Sequence, residues 1–204
     1  MTDKIERREI LTKLNIRENA DNKREIYGKA IPFDSPSLPI DGDFIEYIAP
    51  DAFDESLNSD AEIMLLYAHD WSAPLARRSA GRLKLEKRED GIYFSATPPD
   101  TTRAQDLLKD IEAGNVKGNS FGFTVESDEW STDENGRQIR RVLKGTLYEI
   151  SAVVDPAYPD TTLAKRSLAA SQKTQDLDAI KHNLRKAHLR LLQAKSKTKT
   201  NKKG

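Results

Sequence analysis

The sequence predicts a mainly β protein of the α+β class, built as a β-barrel or folded sheet with helices at its periphery. Three observations favour this fold. Short stretches of alternating or continuously apolar residues recur along most of the 204-residue chain, turn-forming residues separate them, and only two short helices are expected among them. The length is enough for one domain and an appendage.

The first part of the chain predicts strands joined by turns. Residues 8–17 mix the periods of helix and strand, so both remain open there, whereas residues 26–31 are typical of a strand. The turn-forming residues 19–22 would join the two stretches in a hairpin. Residues 44–48 alternate and predict a strand. Pro50 would then open a short helix, because the missing N–H of proline costs least in a first turn.

The middle of the chain predicts a buried strand, a hairpin and a helix. Residues 63–68 form a continuous apolar run typical of a buried strand. Residues 82–86 and 91–97 alternate on either side of a turn that ends in glycine, which indicates a hairpin. Residues 101–113 carry apolar side chains at helical spacing, and Gly114 stands where a helix C-cap belongs.

Three further strands are expected before the tail. Residues 121–125 and 141–149 predict strands joined by a polar hairpin with Asn135 and Gly136 at its tip. Residues 150–154 predict another apolar strand, which Asp155 and Pro156 would stop.

Charge divides the chain into an acidic body and a basic tail. Residues 1–164 hold 21 Lys and Arg against 31 Asp and Glu, whereas residues 165–204 hold 12 against two. We therefore expect a folded domain over 1–164 and a separate basic tail over 165–204. The tail predicts an amphipathic helix, with apolar residues at three- and four-residue spacing: Leu177, Ile180, Leu184, Ala187 and Leu191. Residues 195–203 are low-complexity and predict disorder.

Composition excludes several classes of protein. The chain has no cysteine, so disulfides, thiolate metal sites and a cysteine nucleophile are excluded. It has no apolar run of about 18 residues, and residues 1–10 lack the apolar segment of a signal peptide. A soluble cytoplasmic protein is expected. The body also lacks the paired-histidine spacings of zinc enzymes, so neither a metal nor an organic cofactor is expected.

Three residues of the body could form a nucleophilic site. His69 is the only histidine of the body and follows the apolar run at 63–68, where a strand end could present it. Ser120 stands in Gly-Asn-Ser-Phe-Gly-Phe just before an apolar stretch, and glycines there could relieve crowding and let backbone N–H groups turn toward an oxyanion. Glu149 is an acid among apolar strand residues and therefore needs a partner.

Each residue alone has a simpler structural interpretation, but together they have the composition of a catalytic triad. A serine hydroxyl needs a base within hydrogen-bond reach, and the base needs an acid that orients it. Asp70 could also orient His69, although adjacent strand residues point to opposite faces, which favours Glu149. Arg77, Arg78 and Arg82 are candidate helpers at the oxyanion, and the sequence does not decide among them.

Three segments resemble the conserved blocks of the caudovirus prohead maturation proteases. They are Leu-Leu-Tyr-Ala-His-Asp at residues 65–70, Gly-Asn-Ser-Phe-Gly-Phe at 118–123 and Leu-Tyr-Glu-Ile-Ser-Ala-Val-Val-Asp-Pro-Ala-Tyr at 147–158. The resemblance covers about residues 8–165 and includes Gly-Arg-Leu at 81–83. It implies an assemblin-like β-barrel ringed by helices.

The resemblance implies that Ser120 is the nucleophile, His69 the general base and Glu149 the third member. Ser151 lies in the same block as Glu149 and is a less favoured nucleophile. It also implies an enzyme that works inside the immature capsid in the cytoplasm of the bacterial host. Such an enzyme cleaves the scaffold, or the scaffolding segment of the major capsid protein, and then itself.

The tail would dock on a helical scaffolding segment or be removed by self-cleavage, and the oligomeric state, including a homo-oligomer, stays open. No membrane partner is expected. The principal alternative is a non-enzymatic scaffolding or assembly protein of the prohead, which the joint presence of the three site residues disfavours. A nucleic-acid-binding barrel is disfavoured by the acidic body, although the basic tail alone could attract nucleic acid.

Overall fold

The computed structural model describes residues 5–10, 12–40 and 44–154. Its elements, in chain order, are β1 Glu6–Ile10, β2 Asn15–Glu18, β3 Arg24–Pro32, β4 Phe44–Ile48, α1 Asp54–Asn58, β5 Met64–Tyr67, β6 Ala76–Arg77, β7 Leu83–Arg88, β8 Gly91–Ala96, α2 Thr102–Ala113, β9 Gly118–Thr132 and β10 Gln138–Val153. The predicted mainly β architecture is confirmed. The expectations for residues 165–204, and the domain boundary before them, lie outside the described residues. None of the helices in the described part of the chain is long and apolar enough to span a membrane.

The larger sheet is built around the long hairpin of β9 and β10. Its strands run in the order β1-β9-β10-β5-β6, and β4 also pairs with β10. β4 and β5 both run parallel to β10, β4 along its first residues and β5 along its last. β10 therefore contacts three strands and fixes the position of everything else in this sheet.

The smaller sheet is antiparallel throughout, in the order β2-β3-β8-β7. Both predicted hairpins, β2 with β3 and β7 with β8, are present. The expectation of a barrel is wrong: in the described part of the chain neither sheet closes, because β1 and β6 remain at the edges of one sheet and β2 and β7 at the edges of the other. The two sheets instead bury a common apolar core.

Residues from both sheets and both helices form that core. Phe53, just before α1, packs edge-on against Phe121 and Phe123 of β9, with ring centroids 6.1 and 5.5 Å apart. The side-chain amide Nδ2 of Asn119, also on β9, donates to Ala30 O of β3 at 3.1 Å and so links the two sheets. One face of β9 is thus committed to the core, so its opposite face is available for a site.

α2 has the limits that its sequence predicts. The side chain of Thr101 accepts a hydrogen bond from Ala104 N at the start, and Gly114 adopts the left-handed conformation, φ 75°, at the end. The other predicted helix begins at Asp54, four residues after the proline that was expected to open it.

Two strand predictions are corrected. Residues 8–17, left open between helix and strand, form parts of β1 and β2, which belong to different sheets. Residues 150–154 do not form a separate strand, because β10 runs without a break from Gln138 to Val153. Both arms of the hairpin are longer than predicted, since their outer halves are polar and more exposed and lack the apolar alternation that marks a strand.

A group of five charged residues, four of them buried and Asp128 partly buried, lies at one end of the larger sheet. We call it the ionic cluster; its members are Glu6, Arg8, Glu46, Asp128 and Arg140. Arg8 Nε donates to Glu46 Oε1 at 2.7 Å, and Arg140 Nη1 donates to Glu6 Oε2 at 2.8 Å and to Glu46 Oε2 at 3.0 Å. Arg140 Nε also donates to Asp128 Oδ2 at 2.7 Å. The cluster joins β1, β4, β9 and β10.

Candidate active site

The three predicted site residues come from elements that meet in the larger sheet. Ser120 lies on β9, Glu149 lies on β10, and His69 follows the end of β5. Ser120 lies directly opposite Ser151 of β10, and Glu149 lies directly opposite Gly122 of β9. Because directly opposite residues share a face, the side chains of Ser120, Glu149 and Ser151 lie on the same face of the sheet.

A bulge in β10 places Glu149 on that face. Leu147 lies opposite Phe123, and Glu149 lies opposite Gly122, so two steps along β10 match one step along β9. Leu147 and Ile150 are therefore both in the core, although they are three residues apart. In a regular strand Glu149 would share the face of Leu147 and point into the core. The irregularity at residue 148 moves the carboxylate to the opposite face.

A tight left-handed turn places His69. Ala68 and His69 both have positive φ angles, 51° and 62°, which residues with a side chain adopt rarely. The backbone therefore turns away from the direction of β5 at this point, and Asp70 N donates a hydrogen bond to Tyr67 O at 3.0 Å. Backbone strain of this kind is a common feature of functional sites.

The carboxylate of Glu149 joins two of its neighbours. His69 Nδ1 lies 2.6 Å from Glu149 Oε1, and an ionised carboxylate only accepts, so the tautomer that suits this contact has its proton on Nδ1. Ser151 Oγ donates to Glu149 Oε2 at 2.5 Å. The side chain of Glu149 is 0% exposed and that of His69 is 17% exposed. The carboxylate is therefore fixed on both oxygens and leaves His69 Nε2 free to act as a base.

Asp70, the alternative acid, is occupied elsewhere. Its Oδ1 accepts from Ser72 N at 2.9 Å and from Ser72 Oγ at 2.6 Å, which caps the turn after His69. The hydrogen bonds from Ser72, helped by the charge of Arg103, lower the pKa of Asp70. Asp70 is exposed and stabilises the loop, whereas Glu149 contacts the imidazole.

Ser120 lies inside β9 and not before it, contrary to the sequence prediction. Its backbone is paired on both sides, with Glu9 of β1 and with Ser151 of β10, so it does not sit on a turn. Its side chain is buried, and Oγ has no hydrogen-bond partner among the residues that the structure describes. In this structure Ser120 Oγ therefore makes no hydrogen bond with His69.

The glycine after Ser120 has a steric role. A Cβ atom on Gly122 would lie 2.6 Å from Glu149 Oε1 and 2.9 Å from Glu149 Cγ. Its φ is not in the left-handed region, so space and not backbone conformation requires glycine here. The expectation that a glycine relieves crowding beside Ser120 is confirmed at Gly122, which makes room for Glu149.

Arg7 of β1 also belongs to the site, although no sequence pattern indicated it. Arg7 lies opposite Gly122, and Arg7 Nε is 3.9 Å from Glu149 Oε1. No motif distinguishes it from other arginines; only the strand pairing brings it here. We call Arg7, His69, Ser120, Glu149 and Ser151 the site cluster.

The arginines named as oxyanion helpers are engaged in other contacts. Arg78 donates to Ser56 O and Leu57 O, each at 2.7 Å. Arg77 contacts Glu62, and Arg82 donates to Thr97 O. Within residues 5–10, 12–40 and 44–154, no group of three or more His, Asp and Glu residues is arranged to hold a metal ion.

Comparison with known proteins gives consistent matches. A sequence profile of the family described as caudovirus prohead serine protease matches residues 12–175. The prohead protease of Enterobacteria phage HK97 is 29% identical over an alignment of 153 residues that covers 73% of this chain and 63% of the HK97 protein. This chain thus spans less than two thirds of the length of that relative.

Among solved structures, the capsid assembly protease of bacteriophage T4 has a similar fold. The TM-score is 0.54 at 10% identity, and the match covers 76% of this chain and all of the T4 chain. At this identity the likeness concerns the fold alone.

Proposed function

Because the chain belongs to the caudovirus prohead serine protease family, we propose that it is a serine endopeptidase of capsid maturation, with Ser120 as nucleophile, His69 as general base and Glu149 as the acid that orients the base. The hydrogen bond of 2.6 Å between His69 Nδ1 and Glu149 Oε1, on the face that carries Ser120, is the observation that carries the proposal. A base whose Nδ1 is held by a buried carboxylate has its Nε2 available for the serine proton.

The reaction begins when Ser120 Oγ comes within hydrogen-bond reach of His69 Nε2. In the resting geometry Ser120 Oγ is buried and has no partner among the described residues, so acylation requires a local rearrangement of Ser120 or His69. Oγ then attacks the scissile carbonyl carbon while Nε2 takes its proton. Glu149 stabilises the imidazolium that forms.

Collapse of the tetrahedral intermediate releases the amine product. The imidazolium returns its proton to the leaving nitrogen, and an acyl-enzyme remains on Ser120. Water, activated by the same imidazole, hydrolyses the ester. None of these steps requires a metal ion or an organic cofactor.

The proposed substrates are the scaffold, or the scaffolding segment of the major capsid protein, and the protease itself. The names of the relatives support a role in capsid assembly. We place the enzyme inside the immature capsid in the bacterial host. The basic tail, residues 165–204, would dock on a helical scaffolding segment and be removed by self-cleavage.

Two serines that lie opposite each other provide a matched test of the nucleophile. A fluorophosphonate probe should label the full chain at Ser120, and Ser120→Ala should abolish labelling and scaffold processing. Ser151→Ala should still be labelled, because Ser151 Oγ donates to Glu149 Oε2 and does not attack. Labelling that survives in Ser120→Ala but is lost in Ser151→Ala would reverse the assignment.

Co-expression with the capsid protein tests the substrates. Mass spectrometry of the assembled particles should find cleavage within the scaffolding segment and within residues 165–204, and neither with Ser120→Ala. A chain that no fluorophosphonate labels, and that leaves the scaffold intact, would be the non-enzymatic assembly protein considered above.

A further inference from the structure

Arg7 reaches the catalytic carboxylate across a gap that Gly122 creates. Arg7, Gly122 and Glu149 are directly opposite one another on β1, β9 and β10 and form one row across the sheet. Since Gly122 has no side chain, Arg7 Nε approaches Glu149 Oε1 to 3.9 Å. Arg7 Nε is itself buried, and it has no hydrogen-bond partner in the described part of the chain.

Glu149 needs a permanent cation nearby. Its carboxylate is 0% exposed, and a buried carboxylate without a compensating charge is unfavourable. Ser151 is neutral, and His69 must also be neutral before it can accept the proton of Ser120. In the state that is ready for catalysis, Arg7 is therefore the cation that compensates the carboxylate.

We propose that Arg7 is a positioning residue, which holds Glu149 as a carboxylate while His69 stays neutral. Arg7 acts through Glu149 and does not contact the reacting atoms, and the inference rests on the proposed roles of His69 and Glu149. Without Arg7, the pair of His69 and Glu149 would take up one proton more readily. That proton makes the pair incompetent whether it resides on the imidazole or on the carboxyl.

Two other charged groups flank the pair, Glu9 on β1 and Asp70 on the loop after β5, and the exposed Arg103 of α2 acts on Asp70. On β1, Glu9 lies opposite Ser120 and shares the face of Arg7, so its negative charge opposes that of Arg7. Asp70, on the loop, is exposed and bonded to Ser72. The side chains of β5 opposite Glu149 and Ser151 are Met64 and Leu66, which carry no charge.

The expected consequence is a shift along the pH axis. Removal of a cation about 4 Å from the pair should raise the midpoint at which the pair takes up its proton by roughly one to two pH units. Arg7→Gln and Arg7→Met should therefore move the acidic limb of the pH profile of Ser120 labelling to higher pH. Arg7→Lys keeps the charge and should leave the limb within about half a unit of wild type.

Two readouts test this on the full chain. The first is the rate of fluorophosphonate labelling against pH. The second is the NMR titration of the His69 ring nitrogens in a Ser120→Ala background, which needs no activity. The His69 signals are identified by their loss in His69→Gln. Arg17→Gln is the matched control, since Arg17 lies on the smaller sheet and is 54% exposed.

The role is supported if Arg7→Gln and Arg7→Met raise both midpoints by about one unit or more while Arg7→Lys and Arg17→Gln do not. It is overturned if the His69 midpoint is unchanged in folded Arg7→Gln or Arg7→Met, and the proposed function would then stand. Absence of Ser120 labelling in wild type would instead count against the proposed function, and the NMR readout would still report on Arg7.

Discussion

The ionic cluster and the site cluster both contain charged residues of β1 and β10, but they use their hydrogen-bonding atoms differently. In the ionic cluster each arginine contacts at least two carboxylates. In the site cluster Glu149 is bonded on both oxygens, whereas Ser120 Oγ and Arg7 Nε have no partner within the described residues. A third such atom, Glu62 Oε1, belongs to neither cluster.

We infer from this difference that the ionic cluster serves stability and the site cluster serves function. Fully paired buried charges hold strands in register, and removal of one member leaves another charge buried and unpaired. Buried polar atoms without partners reduce stability and persist where a ligand or a reaction uses them. Adjacent residues of one strand serve the two purposes, since Arg8 and Arg7 point to opposite faces of β1.

The largest effect is expected in the site cluster. Glu149→Gln keeps the shape of the side chain but removes the charge that fixes the Nδ1 tautomer of His69. Labelling of Ser120 should slow by roughly 10⁴-fold. The free energy of unfolding should fall by about 1–3 kcal/mol, because the buried hydrogen bonds of Glu149 lose their charged acceptor.

Asp70→Asn is the matched control, because Asp70 caps the loop and does not touch the ring. It should slow labelling by less than about tenfold, which is the scale of a surface change. Equal losses in the two variants would show that Glu149 does not have the role of orienting the base.

In the ionic cluster, a substitution is expected to reduce stability and to leave activity nearly unchanged. Arg140→Met leaves Glu6 and Glu46 buried with fewer partners and should lower the free energy of unfolding by about 3–5 kcal/mol. Urea unfolding followed by circular dichroism measures this. At temperatures where the variant is folded, labelling of Ser120 should stay within about threefold of wild type, since Arg140 does not contact the site.

Arg141→Met controls for the loss of one arginine. Arg141 follows Arg140 and pairs with Asp34, but both side chains are substantially exposed. An exposed pair contributes at most about 1 kcal/mol. If the two variants lose the same stability, the ionic cluster does not hold the sheet.

The sequence predicted the composition of the site better than its geometry. His69, Ser120 and Glu149 could be named because each stands in an unusual local context. Arg7 could not, because only the pairing of β1 with β9, over more than a hundred residues of chain, brings it near Glu149. Long-range strand register of this kind leaves no local mark in a sequence.

The fold, like the site, was predictable where local signals decide the structure and not where long-range strand pairing does. Local signals were reliable: Thr101 and Gly114 set the limits of α2, and the glycine turn joins β7 and β8. The number of sheets was not predicted, since sheet closure depends on which strands pair. The bulge at residue 148 hid the continuity of β10, because it breaks the alternation between Leu147 and Ile150.

A smaller effect is expected at the gap between Arg7 and Glu149. Gly122→Ala places a methyl group 2.6 Å from Glu149 Oε1 and forces the carboxylate to move. Overpacking of this kind should lower the free energy of unfolding by about 1–3 kcal/mol. Labelling should slow by about a hundredfold, because a small displacement of catalytic groups has a large effect on rate.

Gly28→Ala is its control on the smaller sheet. The nearest atom to a Cβ there is Lys13 O at 3.3 Å, so crowding is mild and remote from His69. Stability should fall by less than in Gly122→Ala, and labelling should be unchanged. If Gly122→Ala were as active as wild type, Gly122 would not be needed to make room for Glu149.

The smallest expected effect is on the stability of the protein at acidic pH. Burial raises the pKa of Glu6, but the hydrogen bond from Arg140 and the charges of Arg8 and Arg140 outweigh burial and hold that pKa below its usual value. A carboxyl whose pKa is lower in the folded state stabilises the fold above its unfolded pKa, about 4.5. That contribution is lost as the pH falls through the folded pKa.

Glu6→Gln should therefore lower stability at pH 7 and flatten the decline between pH 5 and pH 3, as measured by urea unfolding at each pH. Glu126→Gln is the control: Lys144 and Thr146 lower the pKa of Glu126 as well, but Glu126 is exposed, so solvent screens its contribution. A decline equally steep in wild type and Glu6→Gln would mean that acid destabilises the protein through other carboxyls and that the charge of Glu6 does not stabilise the fold.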